Sequence, residues 1–306
     1  MGGDLEAGRR ALRAAGRALS AAPGDHGIDA LLPAEIALKA EAVGVQKTGL
    51  DALTLLALGV LAGAFIGLGA MFATTVLAGA DGVLPFGVAR LLAGIVFCLG
   101  LILVILGGAE LFTGNALIVM AWAAGKVPLR RMLRVWAIVY VGNFVGAAGT
   151  ALLVFLSGQY LGGQGAVARV TLSLALAKAA LPFDQALFLG ILCNVLVCLA
   201  VWLALGARTT TDKVLAILFP VSAFVVAGFE HSVANMYLIP LGLLAKAWGP
   251  AAMWTQLGTD PAAYAALTWP AFFASLVPVT IGNIIGGSVL VGGVYWFIYL
   301  RRRAAA

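Results

Sequence analysis

Two short stretches place carboxylates inside long apolar runs, and they are built alike. Gly228-Phe229-Glu230-His231-Ser232-Val233-Ala234-Asn235 sets a glutamate beside the only histidine outside the N-terminal tail. Gly108-Ala109-Glu110-Leu111-Phe112-Thr113-Gly114-Asn115 repeats the Gly, Glu and Asn at the same relative positions, with Leu111 where the histidine stands later. Ionisable groups in apolar spans are costly and usually functional. His231 is the asymmetric element: an imidazole can donate a hydrogen bond or a proton to a passing anion, and the plain alternative is a structural histidine bonded to a backbone carbonyl. Thr113 can offer a hydroxyl to the same ligand or bond its own helix backbone. Glu110 and Glu230 have two readings, as proton carriers or as caps on N–H groups freed by a broken helix. Their identical placement favours caps, because a proton path needs only one. Asn115 and Asn235, whose amides donate and accept, fit the same scaffolding role.

The elements around these residues are membrane spans. The 306 residues are 62% apolar and 10% charged, which excludes an ordinary soluble domain, and the net charge of +6 sits near the ends and short connections rather than on a nucleic-acid-binding surface. A span needs about 20 helical residues. Six stretches qualify, near 52–78, 88–120, 135–157, 184–206, 213–244 and 271–300. The second and fifth are longer than a straight span needs and carry Gly, Glu and Asn, which predicts broken helices whose freed backbone groups are satisfied by side chains or water; simple tilt is the alternative. Before them, residues 1–30 read as a basic cytoplasmic tail and 31–50 as an amphipathic surface helix, with Ile36, Ala37, Ala40 and Val43 at helical spacing. Fifteen of the nineteen Lys and Arg fall on one side of six alternating spans, so both termini are expected in the cytoplasm.

The duplication extends beyond the two stretches. Leu58-Gly59-Val60-Leu61 matches Leu189-Gly190-Ile191-Leu192, and Val141-Gly142-Asn143-Phe144-Val145-Gly146 matches Ile281-Gly282-Asn283-Ile284-Ile285-Gly286, in the same order. Residues 51–157 and 184–300 therefore read as two three-span repeats, joined by an extracytoplasmic connection over 158–183 and followed by a short tail, 301–306. An odd number of spans per repeat forces inverted topology, with the site at the repeat interface. Asn143 and Asn283 read as braces on the third and sixth helices. Asn194, whose counterpart is Gly63, is a weaker candidate for the lining. Phe97 and Leu101 share a helical face ahead of the first break, and Phe224 shares one with His231; these suit apolar constrictions or ordinary packing.

Leu84-Pro85-Phe86-Gly87, the two Glu-containing stretches and Pro278-Val279-Thr280-Ile281-Gly282-Asn283 closely resemble the formate/nitrite transporter family, over about Leu31 to Leu300. The resemblance implies an all-α, aquaporin-like fold, a homopentamer with one pore per protomer in the inner membrane, and a hydrophobic pore for small monovalent weak-acid anions. Carried over, His231 is similar to the family's central pore histidine and Thr113 to its partner. Phe97, Leu101, Leu111, Asn194, Val197 and Phe224 resemble residues of the two constrictions, and Lys178 the basic residue of the outer vestibule. Leu84-Pro85-Phe86-Gly87 and Trp296-Phe297-Ile298-Tyr299-Leu300 look more like the formate branch, whereas Glu110 stands where formate-channel members carry aspartate and nitrite-type members commonly carry glutamate. Formate is the expected substrate, moved with or without protons, and nitrite or hydrosulfide the alternatives within the family.

Two other classes fit less well. A neutral-solute channel shares inverted repeats, but the paired Asn-Pro-Ala motifs of water channels are absent from the sequence. A membrane-embedded enzyme needs a nucleophile or metal set beside His231; there is no second intramembrane histidine, and Cys98, Cys193 and Cys198 have no ligand or redox spacing. No cofactor, metal or nucleic-acid partner is expected.

Overall fold

The computed structural model describes residues 29–304. The chain divides into a unit of residues 1–30 and a unit of residues 31–306. The tail expected over 1–30 thus lies outside the described residues except for its last two.

The second unit opens with α1, Pro33–Thr48. Proline at the first helical position and Glu35, whose Oε2 accepts the Leu32 N–H at 2.8 Å, start it. Its buried face is Ile36, Ala37, Ala40 and Gly44. Three contacts tie α1 and the turn after it to neighbouring segments: Glu41 pairs with Lys126, the Lys39 Nζ donates to the Leu205 carbonyl at 2.8 Å, and Arg134 donates to the Leu50 carbonyl at 3.1 Å.

The first repeat comprises α2 (Ala52–Leu77), α3 (Phe86–Gly107), a 3₁₀ turn (Gly114–Ile118) running into α4 (Val119–Ala123), and α5 (Leu129–Ser157). The second comprises α7 (Phe183–Gly206), α8 (Thr210–Ala227), α9 (Ser232–Trp248), the short α10 (Ala251–Leu257) and a last span made of α11 (Trp269–Ile284), a π-helical stretch (Ile285–Gly293) and α12 (Val294–Tyr299). Among the described residues, six helices are long and apolar enough to cross a membrane.

Both expected breaks are present. Helix α3 ends at Gly108 with φ +78°, and α8 ends at Gly228 with φ +73°, the left-handed conformation that glycine adopts without a Cβ clash. Each repeat also closes a pair of helices through small residues. A Cβ at Gly146 would run into the Val60 carbonyl, and one at Gly286 into the Ile191 carbonyl, so α2 packs on α5, and α7 on the last span, at backbone distance.

One element adds to the sequence reading and one departs from it. The 158–183 connection is largely helical: α6 (Ala166–Ala179) buries Val167, Ala168, Thr171, Leu172 and Ala175 at helical spacing, with Ala175 against Gly242 of α9. The third span begins at Leu129 rather than 135, because Pro128 initiates the helix and the arginines that follow extend it.

Candidate functional site

Each break is held by one asparagine from the third span of its own repeat. In the first repeat the Asn143 Oδ1 accepts the Phe112 N–H at 2.9 Å, and its Nδ2 donates to the carbonyls of Gly59 at 2.8 Å and Glu110 at 2.9 Å. In the second the Asn283 Oδ1 accepts the Ser232 N–H at 2.9 Å, and its Nδ2 donates to Gly190 at 2.8 Å and Glu230 at 2.9 Å. The Glu110 N–H donates to the Leu58 carbonyl at 3.2 Å and the Glu230 N–H to the Leu189 carbonyl at 3.3 Å. The same backbone problem is solved twice with the same bonds, so the sequence repeat is a structural repeat.

This corrects the expected role of the glutamates. Among the described residues the Phe112 and Ser232 N–H groups go to Asn143 and Asn283 and those of Glu110 and Glu230 to backbone carbonyls, and no loop N–H bond to the Glu110 or Glu230 carboxylate is seen. The carboxylates pair with lysines instead. The Lys47 Nζ donates to Glu110 Oε2 and to Asn115 Oδ1, both at 2.8 Å. On the other side the Lys178 Nζ reaches Glu230 Oε1 at 2.6 Å, while Asn235 Nδ2 donates to Glu230 Oε2 at 2.7 Å. Glu–Lys–Asn triads therefore flank both breaks. Lys47, which the sequence reading did not single out, is the counterpart of Lys178. Its only sequence signal was a lysine at the end of the surface helix.

His231 caps α9. Its Nδ1 accepts the Ala234 N–H at 3.1 Å, so the ring proton of the neutral form sits on Nε2, which lies 3.1 Å from the Thr113 Oγ1. Nε2–H donates to the threonine hydroxyl, and the two broken helices meet at this bond. Both residues are buried. The Phe224 ring stacks on the imidazole with centroids 6.0 Å apart, and Phe97 meets Phe224 edge-on at 5.6 Å.

Two cavities approach this contact. One of about 70 Å³ is walled by Phe97, Phe224, His231, Lys178 and Arg90. The other, of about 420 Å³, is walled by Leu101 and Leu111, by Lys47, Glu110 and Asn115, and by α1. The apolar residues expected at constrictions thus divide between the two sides. Thr113, Asn194 and Val197 are buried and line neither cavity. Asn194 is brought to the centre, with its Nδ2 donating to the carbonyls of Asn283 at 2.6 Å and Thr113 at 3.2 Å. It joins the two breaks. Asn235 lies behind Glu230. Among the described residues no cluster of three His, Cys, Asp or Glu side chains is placed to hold a metal.

Six spans in two repeats, broken at matching points and meeting at a buried polar contact between two cavities, define a multi-pass membrane transport protein of aquaporin-like architecture. Residues 34–297 match the family model described as formate/nitrite transporter. The chain belongs to that family. It is 44% identical over 278 residues to the formate channel FocA of Escherichia coli strain K12, covering 90% of this chain and 97% of that one. It is 39% identical over 264 residues to the formate channel FocA of Haemophilus influenzae, covering 86% and 93%. Among solved structures it is similar to a pentameric formate channel with formate bound, with a TM-score of 0.78, 41% identity and coverage of 82% of this chain and 98% of that one.

Proposed function

We propose that the protein conducts formate, with nitrite as a second substrate, through a pore in each protomer that passes between the two cavities at the Thr113–His231 contact. The reading rests on that contact: a buried polar pair that joins the two breaks, with Phe97 and Phe224 lining one cavity beside it and Leu101 and Leu111 the other. The named relatives are formate channels at up to 44% identity over nearly their whole length. The similar solved structure is pentameric, which supports a homopentamer here. The lysine and arginine distribution supports inner-membrane placement with both termini cytoplasmic.

A lone carboxylate between Phe97, Phe224, Leu101 and Leu111 loses hydration that these side chains cannot replace. His231 Nε2–H and the Thr113 hydroxyl are the donors that meet it. A carboxylic acid with pKa near 4 is only about one part in 1000 neutral at pH 7, so passage as formic acid requires a local proton. His231 can supply one only after Nδ1 has been protonated, which removes the acceptor for the Ala234 N–H. Proton donation is therefore tied to the cap of α9, whereas hydrogen bonding from Nε2–H is not.

His231→Asn separates the two routes, because asparagine also caps a helix and donates hydrogen bonds but does not titrate. In proteoliposomes the variant is expected to carry formate with a flattened pH dependence. Wild-type flux with a wild-type pH profile would remove His231 from the mechanism.

A further inference from the structure

The cavity of about 420 Å³ is larger than a one-carbon acid requires and falls within the usual size of small-molecule sites, roughly 300–1,000 Å³. Its walls carry Lys39, Lys47 and Lys213 against a single carboxylate, Glu110. Lys47 is paired with that carboxylate. Lys39 spends one donor on the Leu205 carbonyl and keeps two. Lys213 has no ion pair among the described residues. At the floor, Asn115 is buried with its Nδ2 bonded to nothing among the described residues, although its Oδ1 accepts from Lys47. A buried donor without a hydrogen-bond partner and two lysines without an ion pair, all among the described residues, thus line one cavity.

We propose that this vestibule is a binding site for a soluble multivalent oxyanion, a phosphate ester or a di- or tricarboxylate, which Lys39 and Lys213 hold at the mouth and Asn115 at the floor, and which plugs the pore from the cytoplasmic side. Burial and the positive charges of Lys213 and Arg208 lower the Lys39 pKa from its ordinary value. A monovalent anion answers one ammonium group; a multivalent one bridges the mouth. The plugging half rests on the pore reading above, and the binding half does not.

The full-length protein in phosphatidylcholine nanodiscs is titrated calorimetrically with tripolyphosphate as the probe. Binding is expected, and Lys39→Gln with Lys213→Gln should weaken it by about tenfold or more. Arg130→Gln with Arg131→Gln removes equal charge from exposed residues outside the cavity and should leave it unchanged. Tripolyphosphate trapped on the α1 side of proteoliposomes should slow formate flux through the wild type and not through the Lys39/Lys213 double variant. No binding, or equal weakening by the Arg130/Arg131 control, overturns the site. Loss of binding only when phosphatidylglycerol is added to the nanodiscs assigns the cavity to a lipid headgroup and overturns the soluble ligand. Binding without any formate flux would fail the pore reading and leave the site standing; flux without binding would do the reverse.

Discussion

Removing the Lys178 charge tests the opposite triad most directly. The Lys178 and Glu230 side chains are 17% and 4% exposed, with charged atoms 2.6 Å apart. At an effective dielectric of about 20, that separation corresponds to an attraction of ~6 kcal/mol before desolvation is counted. Lys178→Met leaves the Glu230 carboxylate buried with only the Asn235 amide beside it, and breaking such a pair typically costs about 3–5 kcal/mol. Adding Glu230→Gln removes the orphaned charge while keeping a side chain that can bond Asn235. The double variant should therefore recover most of the loss, with a coupling energy of about 2 kcal/mol or more. Unfolding free energies measured in mixed micelles over increasing SDS, for wild type, both singles and the double, complete the cycle. If Lys178→Met unfolds like wild type, or the double variant is no more stable than that single, the ion pair does not hold the break and the reasoning fails. Formate flux read alongside should show a higher half-saturating concentration for Lys178→Met, because the cavity that Lys178 shares with Arg90 loses one positive charge.

Other outcomes follow from the same geometry. Asn283→Leu strands the Ser232 N–H and the Glu230 carbonyl in a buried site and should cost roughly 3–6 kcal/mol in the same micelle assay. Asn143→Leu should cost a similar amount in the first repeat, and a large difference between the two would deny their equivalence. Gly146→Ala, whose Cβ meets the Val60 carbonyl, should destabilise by about 3 kcal/mol or more, while Gly149→Ala, with open space around its Cβ, should be neutral or stabilise by up to about 1 kcal/mol. Thr113→Val removes the hydroxyl that His231 bonds; formate flux should fall while stability changes by only about 1 kcal/mol, and Thr113→Ser should restore flux.

The breaks were legible because a glycine followed by a glutamate inside an apolar run is costly twice, once for backbone and once for charge. The repeat was legible because the same bracket needs the same residues: Gly59 and Gly190, Asn143 and Asn283. What joins distant parts of the chain was not. Lys47 lies 63 residues from Glu110, and Lys178 lies 52 from Glu230, so neither pairing has a local signature. Asn194 read as a weak lining candidate because Gly63 is its counterpart. The structure shows what the larger side chain does there: its amide takes the Asn283 carbonyl at 2.6 Å just before the last span widens into the π-helical stretch, a feature with no match in α5. Helix α6 carried a readable apolar period, hidden by its short length and by the connection around it.

The asparagine brackets also bear on how the chain is made. Every backbone group that Asn143 holds, at Gly59, Glu110 and Phe112, has already been synthesised when Asn143 appears, and the same is true of Gly190, Glu230 and Ser232 when Asn283 appears. Each trio of spans can thus seal its own broken helix as its third member enters the bilayer, without waiting for the other trio. The vulnerable intervals of biogenesis are two and short, from each break to the asparagine that closes it. Bonds such as His231 to Thr113 and Asn194 to Thr113 form only when the two finished halves dock.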